Sequence, residues 1–245
     1  MDEEELPLFV LPMVLFPGEE QELRVFEPRY KQMLDTCILD DRNFGLVMND
    51  PFRPVNSWDG PRMVGCEAEV TTHETRGSNH FITIKGIRRF NIQSIHAPAL
   101  PPLHHPSLAE AIQEEGVFPD MDTLFSFIPD DVEHQRLYIA ADVKYVDIKG
   151  ELDAVQQAAL NIFADGMLRK FGKRMGFEDD IIEEWIDNYI ASTITQYPST
   201  LYLMASLFLP ELEMKQQLLS CDTVDEAFQE FTIHTEIFEE EESFQ

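Results

Sequence analysis

The spacing of apolar residues changes once along this chain, near Gly150, and that change limits the fold more than any other feature. Before it, apolar side chains recur at every second position in short runs, as half-buried strands require. Glu22-Leu-Arg-Val-Phe alternates, Phe44-Gly-Leu-Val-Met reads as strand, and Met63–Thr71 and Phe81–Ile95 flank the polar stretch Thr72–His80 like two arms of a hairpin. Leu137–Ile148 alternates again, with Ile139, Ala141, Val143 and Tyr145 on one face. After Gly150 the period is helical. Leu152, Val155, Ala159, Ile162 and Phe163 form one stripe, and Ile181, Ile182, Trp185, Ile186, Tyr189 and Ile190 form another. Strands first and helices second is the α+β arrangement. The expected division is a β-rich part over 1–148 and a helical part over 149–245 with an acidic tail.

Several segments depart from this simple reading. Leu6–Phe16 is apolar but interrupted by prolines, which predicts an edge or bulged strand. Tyr30, Met33, Leu34, Cys37 and Ile38 are spaced for a short helix, with Pro28 in its first turn. Asn49–Pro61 is rich in Pro, Asp and Asn and reads as a loop. Residues 96–136 are proline-rich at the start and read as irregular, with Ser107 and Glu110 in a capping-box pattern for one short helix. Pro198–Leu209 is apolar nearly all round and is expected to be buried, with Pro210 as its stop. Asp222 or Thr223 would cap a last helix carrying Val224, Ala227, Phe228 and Phe231.

The order of the segments resembles a known family. Leu6-Pro-Leu-Phe-Val-Leu-Pro-Met-Val-Leu-Phe-Pro-Gly, then Leu23-Arg-Val-Phe-Glu-Pro-Arg-Tyr and a helix, is similar to the opening of the Lon protease N-terminal domain. Phe44-Gly-Leu-Val-Met, Val64-Gly-Cys-Glu-Ala-Glu-Val and Ile84-Lys-Gly-Ile-Arg-Arg-Phe-Asn-Ile follow in the family's order. Leu201–Leu209, Lys215-Gln-Gln-Leu-Leu and Asp222-Thr-Val-Asp-Glu resemble its helical part. The resemblance implies a PUA-like β pseudo-barrel followed by a helical bundle. It also implies a role in recognising protein substrates by a surface with no chemistry of its own, here in a stand-alone form. Cereblon carries a related domain, but its zinc-binding partner domain needs CxxC pairs, which Cys37, Cys66 and Cys221 do not provide. Where the family passes quickly from the Arg88-Arg89-Phe90 strand to the next, about forty residues intervene here. They form either a partner-binding arm or a tolerated surface loop, since loop length costs little entropy, and the loop reading is favoured.

Catalytic signatures are absent from the sequence. The glycines of Gly60 and Gly65 have phosphate-loop spacing, but Cys66 and Glu67 follow where Lys and Ser/Thr are needed, and a glutamate there would repel phosphate. HExxH and Gly-x-Ser-x-Gly do not occur. His104 and His105, with His73 and His80 elsewhere, are poorly placed to share a metal, because adjacent residues of an extended segment point to opposite sides. No catalytic, cofactor or metal residue is therefore assigned. Cys37 reads as a buried structural thiol. Glu27-Pro28-Arg29-Tyr30 and Arg88-Arg89 read as structural, with Tyr30 in the core and the arginines paired to acids.

The candidate peptide-binding residues are the loop aromatics Phe52 and Trp58 and, in the 96–136 segment, Phe118 and Phe125, since large aromatics in loops are frequent binding anchors. Phe127 is a further exposed aromatic in that segment. The expected partners are unfolded or flexible protein segments, together with a separate protease or chaperone. With 46 acidic against 18 basic residues the net charge is −28, which disfavours nucleic acid and anionic membrane as partners. Three widely spaced cysteines, an acidic N-terminus and the lack of a long apolar run point to the cytoplasm. An uncharacterised hydrolase or small-ligand enzyme is the alternative reading, and a PUA-like nucleic-acid-binding domain is a second.

Overall fold

The computed structural model describes residues 4–111 and 118–242, with side chains except those of 185, 187–192 and 236–242. Contacts divide the chain into two compact units, Met1–Asp147 and Ile148–Gln245. The elements of the first unit are β1 (Glu4–Leu11), β2 (Glu20–Val25), α1 (Pro28–Leu39), β3 (Phe44–Val55), β4 (Trp58–Pro61), β5 (Val64–Arg76), β6 (Asn79–His96), a 3-10 turn (Pro106–Ala111), α2 (Met121–Ser126) and β7 (Ala140–Tyr145). Strands β1, β7, β6, β5 and β3 pair in that order, and β1 pairs again with β3, which closes the ring of a pseudo-barrel. Closure gives each of these five strands a neighbour on both sides. β2 adds to the first half of β6, and β4 folds back on β3.

The closure places β1 between two partners, so it is not the edge strand its prolines predict. Pro7 is opposite Ala140 on β7, while pairing with β3 begins only at Leu8. The missing N–H of Pro7 therefore removes no ladder bond on the β3 side. Pro12 follows directly after the strand ends. Both faces of β1 are buried. Leu6, Leu8 and Val10 join Val47, Phe90, Ile92, Ile139, Ala141 and Val143 in one core, as the alternation of the last strand predicts. Phe9 turns to the other face, against Tyr30, Met33, Leu34 and Cys37 of α1. That helix has Pro28 in its first turn and buries the expected stripe, except that Ile38 is 41% exposed. Close approach requires glycine at position 86, where a Cβ would lie 2.1 Å from the Phe16 carbonyl oxygen.

Asn49–Pro61 is a β-hairpin and not a loop. A register shift between Asp50 and Val55 absorbs Pro51 and Pro54 as a bulge. Asn56 and Ser57 then turn with φ of 46° and 67°, the left-handed values that two-residue hairpins use. The hairpin of β5 and β6 runs further than the sequence predicts, turning at Gly77 with φ 61°.

The 96–136 segment is organised around a small core of its own. Leu100, Leu108, Ala111, Leu124 and Leu137 are buried together, with Leu103, Met121, Phe125, Phe127 and Ile128 packed against them. The expected capping box does not form. Ser107 hydrogen-bonds His105 at 2.8 Å, and the turn that follows is 3-10. α2 is capped instead by Asp120, whose carboxylate accepts from the Thr123 N–H at 2.7 Å.

The second unit contains α3 (Ala154–Arg174), α4 (Asp179–Thr193), α5 (Ser199–Phe208), α6 (Leu212–Leu219) and α7 (Val224–Glu242). The inward face of α3 is Leu160, Ala164, Leu168 and Gly172, a strict i+4 row that lets α4 approach. Val155 and Ile162, expected in the buried stripe, are 77% and 75% exposed, and Ala159 is also exposed. Ile182 and Ile186 of α4 are buried, whereas Ile181 is exposed, and Trp185, Tyr189 and Ile190 lie outside the described side chains. α5 buries Thr200, Leu201, Tyr202, Met204 and Ala205 but leaves Leu203 and Leu207 partly exposed, so it is not enclosed all round. Phe163 meets Phe208 and Phe231 edge-on at 5.4 and 5.2 Å. α7 opens with a capping box: Thr223 accepts from the Glu226 N–H, and the Glu226 carboxylate accepts from Asp222 and Thr223. No described helix is long and apolar enough to cross a membrane.

Candidate functional site

Three parts of the first unit, distant in sequence, enclose an apolar recess of about 260 Å³. The first is the junction of β2 and α1. Glu27 is extended because Pro28 follows it, so Phe26 and Arg29 are carried to the surface on either side of the bend. The second is the start of β4, where the Asn56-Ser57 turn presents Trp58. The third is the 96–136 segment, which contributes Leu100, Pro101, Pro102, Leu103, Leu108, Phe118 and Leu124.

Hydrogen bonds hold these parts in place. The Trp58 indole N–H donates to the Leu100 carbonyl at 2.9 Å, and the Asn56 amide donates to the Pro98 carbonyl at 2.9 Å. Prolines leave such a segment without a regular ladder, so its carbonyls are free to accept. The Arg29 guanidinium lies 3.6 Å from the Trp58 ring centroid and 4.1 Å from that of Tyr30. Its Nε donates to Glu27 at 2.9 Å. Arg29 thus serves as a flat wall whose charge is neutralised locally. Tyr30 is structural: it is buried, its hydroxyl donates to the Val10 carbonyl at 2.7 Å, and burial pushes its ionisation far above the usual phenol range. Phe26 and Phe118 flank the recess with ring centroids 6.1 Å apart, and they are 45% and 43% exposed.

The sequence-derived candidates separate here. Trp58 and Phe118 line the recess together. Phe125 packs into the small core beside it, and Phe52, 90% exposed, stands on the β3 side of the hairpin away from it. Phe26, Arg29, Leu103 and the proline pair 101–102 escaped the sequence reading. Their only signal was proximity to proline, and their convergence depends on topology.

The chemistry of the recess is apolar. Glu27, Arg29 and His104 are its titratable lining residues, and the first two form an ion pair. Cys37 and Cys66 lie elsewhere, in the core, where burial pushes their thiols up to about 11 and about 12. Glu67, the residue that spoils the phosphate-loop pattern, is buried and paired with Arg88, which also stacks on Tyr145. His73 and His80 do meet, at 2.9 Å across β5 and β6. The one described group able to offer three ligand atoms to a metal is Glu5, His96 and Asp142, which the sequence did not single out. Each already has a protein partner: Arg136 on Glu5 at 3.1 Å, and Ser94 together with His96 on Asp142, which hold that carboxyl below its usual range.

Residues 5–235 match the family model of the ATP-dependent protease La (LON) substrate-binding domain. The chain belongs to that family. Two solved structures share its fold. A Lon N-terminal domain protein from Xanthomonas campestris is 19% identical, with 90% of this chain aligned to 92% of that one at a TM-score of 0.51. The N-terminal domain of a Mycobacterium avium complex Lon protease is 14% identical, with coverage of 95% and 98% and a TM-score of 0.59. A search of curated proteins gives no match. As a Lon substrate-binding domain, the chain is a substrate-recognition module of a non-catalytic kind.

Proposed function

We propose that this Lon-type domain binds unfolded or flexible protein segments by seating one bulky apolar side chain in the recess between Trp58 and Phe118. The observation that supports this is a solvent-open apolar recess, framed by exposed aromatics, in a chain whose family is one of substrate recognition. Its volume of about 260 Å³ lies below that of ligand sites, which run roughly 300–1,000 Å³, and it suits one large side chain better than a cofactor. Seating a Leu or Phe side chain contributes about 1.5–3 kcal/mol. That is weak against the cost of association, so binding is transient, as sampling of many segments requires. The chain would act as an adaptor beside a separate protease or chaperone. Three cysteines outside any disulfide, Cys37, Cys66 and Cys221, suit a reducing compartment such as the cytoplasm, and the net charge of −28 disfavours nucleic acid and anionic membranes as partners.

The test is fluorescence anisotropy of a labelled, unstructured peptide with a central Phe or Leu. The double variant F26A/F118A removes two partly exposed rings and leaves the fold intact. It is expected to weaken binding on the order of tenfold or more. Equal affinity for both proteins would refute the site.

A further inference from the structure

His73 and His80 are brought together by the register of the β5–β6 hairpin. The ladder sets His73 opposite Ile82 and Thr75 opposite His80, so these four side chains share one face. Ile82 is buried on that face with Tyr30, Met33, Leu34 and Cys37 of α1, which puts the two imidazoles beside the same helix. His73 Nε2 and His80 Nδ1 are 2.9 Å apart, and the ring centroids are 5.1 Å apart. The Thr75 hydroxyl oxygen lies 3.5 Å from the first nitrogen and 3.1 Å from the second. The other ring nitrogen of His80, Nε2, faces the Asp35 carboxylate of α1 at 3.8 Å. His80 is mostly covered and His73 is exposed, so the pair is open to solvent on one side.

A neutral imidazole carries one proton on its two nitrogens. The Asp35 carboxylate favours that proton on His80 Nε2, which leaves a lone pair on Nδ1 towards His73. Such a carboxylate behind the ring is what fixes the tautomer of a metal-binding histidine. His73 Nε2–H then donates to His80 Nδ1. When the His73 proton moves to its own Nδ1, both facing nitrogens carry lone pairs and no net proton is lost. An ion about 2.0–2.1 Å from each nitrogen needs them roughly 2.9–3.3 Å apart, for angles at the ion between about 90° and 109°. The separation of 2.9 Å meets that range without movement of the strands.

We propose that His73 and His80 form a site for a late first-row divalent cation, with Thr75 beside it and Asp35 holding His80. Paired imidazoles suit Zn²⁺, Cu²⁺ and Ni²⁺ and not Mg²⁺ or Ca²⁺, which seek oxygen. Water fills the remaining positions on the exposed side. The bound ion ties β5 to β6 near their turn and, through Asp35, braces the hairpin against α1. The group of Glu5, His96 and Asp142 is the weaker candidate, because it offers one nitrogen and its Glu5 is held by Arg136. None of His73, Thr75, His80 and Asp35 lines the apolar recess, so the site is independent of peptide binding.

The test is a titration of the full chain with zinc chloride after treatment with a chelator. All proteins carry C221S, which removes the one cysteine that is not buried. The ring signals of the seven histidines are followed by NMR, with H73A and H80A assigning the pair. Zinc is expected to shift the His73 and His80 signals together, saturating at one ion per chain, while magnesium moves neither. By calorimetry H73A should lose about tenfold or more in zinc affinity, with the melting temperature of the metal-free protein unchanged. D35N, which touches no ligand atom, should lose about tenfold as well. Zinc affinity that is unchanged in H73A overturns the proposal. So does a response centred on His96 and lost in H96A, equal shifts with magnesium, or no saturable binding at millimolar zinc.

Discussion

Trp58 is a side chain that the fold holds from several sides. Its indole N–H is spent on the Leu100 carbonyl, one face carries Arg29, and the rest of the ring packs towards the core of Leu6, Leu8 and Val10. What remains exposed is a ring fixed in position, which loses little entropy when it meets a ligand. Gly86 is the opposite case, a residue defined by what it lacks. Its N–H donates to the Glu19 carbonyl and its own carbonyl accepts from Gly18, so the Phe16–Glu19 turn is laced to β6 with no room for a Cβ. Gly86→Ala is expected to cost about 1–3 kcal/mol or more by overpacking against backbone. Gly166→Ala, inside α3 with open space around it, is expected to gain up to about 1 kcal/mol. Urea unfolding of the two variants checks both signs. A Gly86→Ala variant as stable as the parent would contradict the packing described at Gly86, and a destabilised Gly166→Ala variant would contradict the open space around Gly166.

Among the elements, the 96–136 segment carries most of the argument. Its ends are joined by the Ala99 N–H donating to the Arg136 carbonyl at 2.7 Å, so the segment leaves and rejoins the barrel at nearly one point. Replacing residues 101–135 with a short Gly/Ser turn is therefore expected to keep the β-sheet circular dichroism and a cooperative unfolding transition while abolishing peptide binding. Loss of the fold would show that the segment is structural, and retained binding would move the site elsewhere. The favoured reading of this segment as a tolerated loop rested on the small entropic cost of loop length, and spacing alone does not reveal a core as small as Leu100, Leu108, Ala111, Leu124 and Leu137. Alternation revealed β2, β5, β6 and β7 because each has one face clearly apolar. It failed over Asn49–Pro61, where two prolines and a bulge break the period and Asn-Ser replaces the more telling Asn-Gly. It failed on α3 because Ala164 and Gly172 pack inward while Val155 and Ile162 face out, and a count of large side chains selects the wrong stripe. Two of the four aromatic candidates reached the recess. Phe52 stands exposed on β3, and Phe125 packs against the small core.

For the whole molecule, the closed ring of β1, β3, β5, β6 and β7 explains how an unusually acidic chain keeps a defined surface. Each of the five ring strands pairs on both sides, and apolar residues are buried on both faces of β1. The most direct measurement uses the fact that the chain has only two tryptophans, Trp58 and Trp185. In a W185F variant, the fluorescence of Trp58 reports the recess alone. Titration with a Phe-centred flexible peptide should give a saturable blue shift with the same midpoint as anisotropy, and the Ala-centred peptide should give none. Binding seen by anisotropy with Trp58 unchanged would place the contact outside the recess and contradict the account.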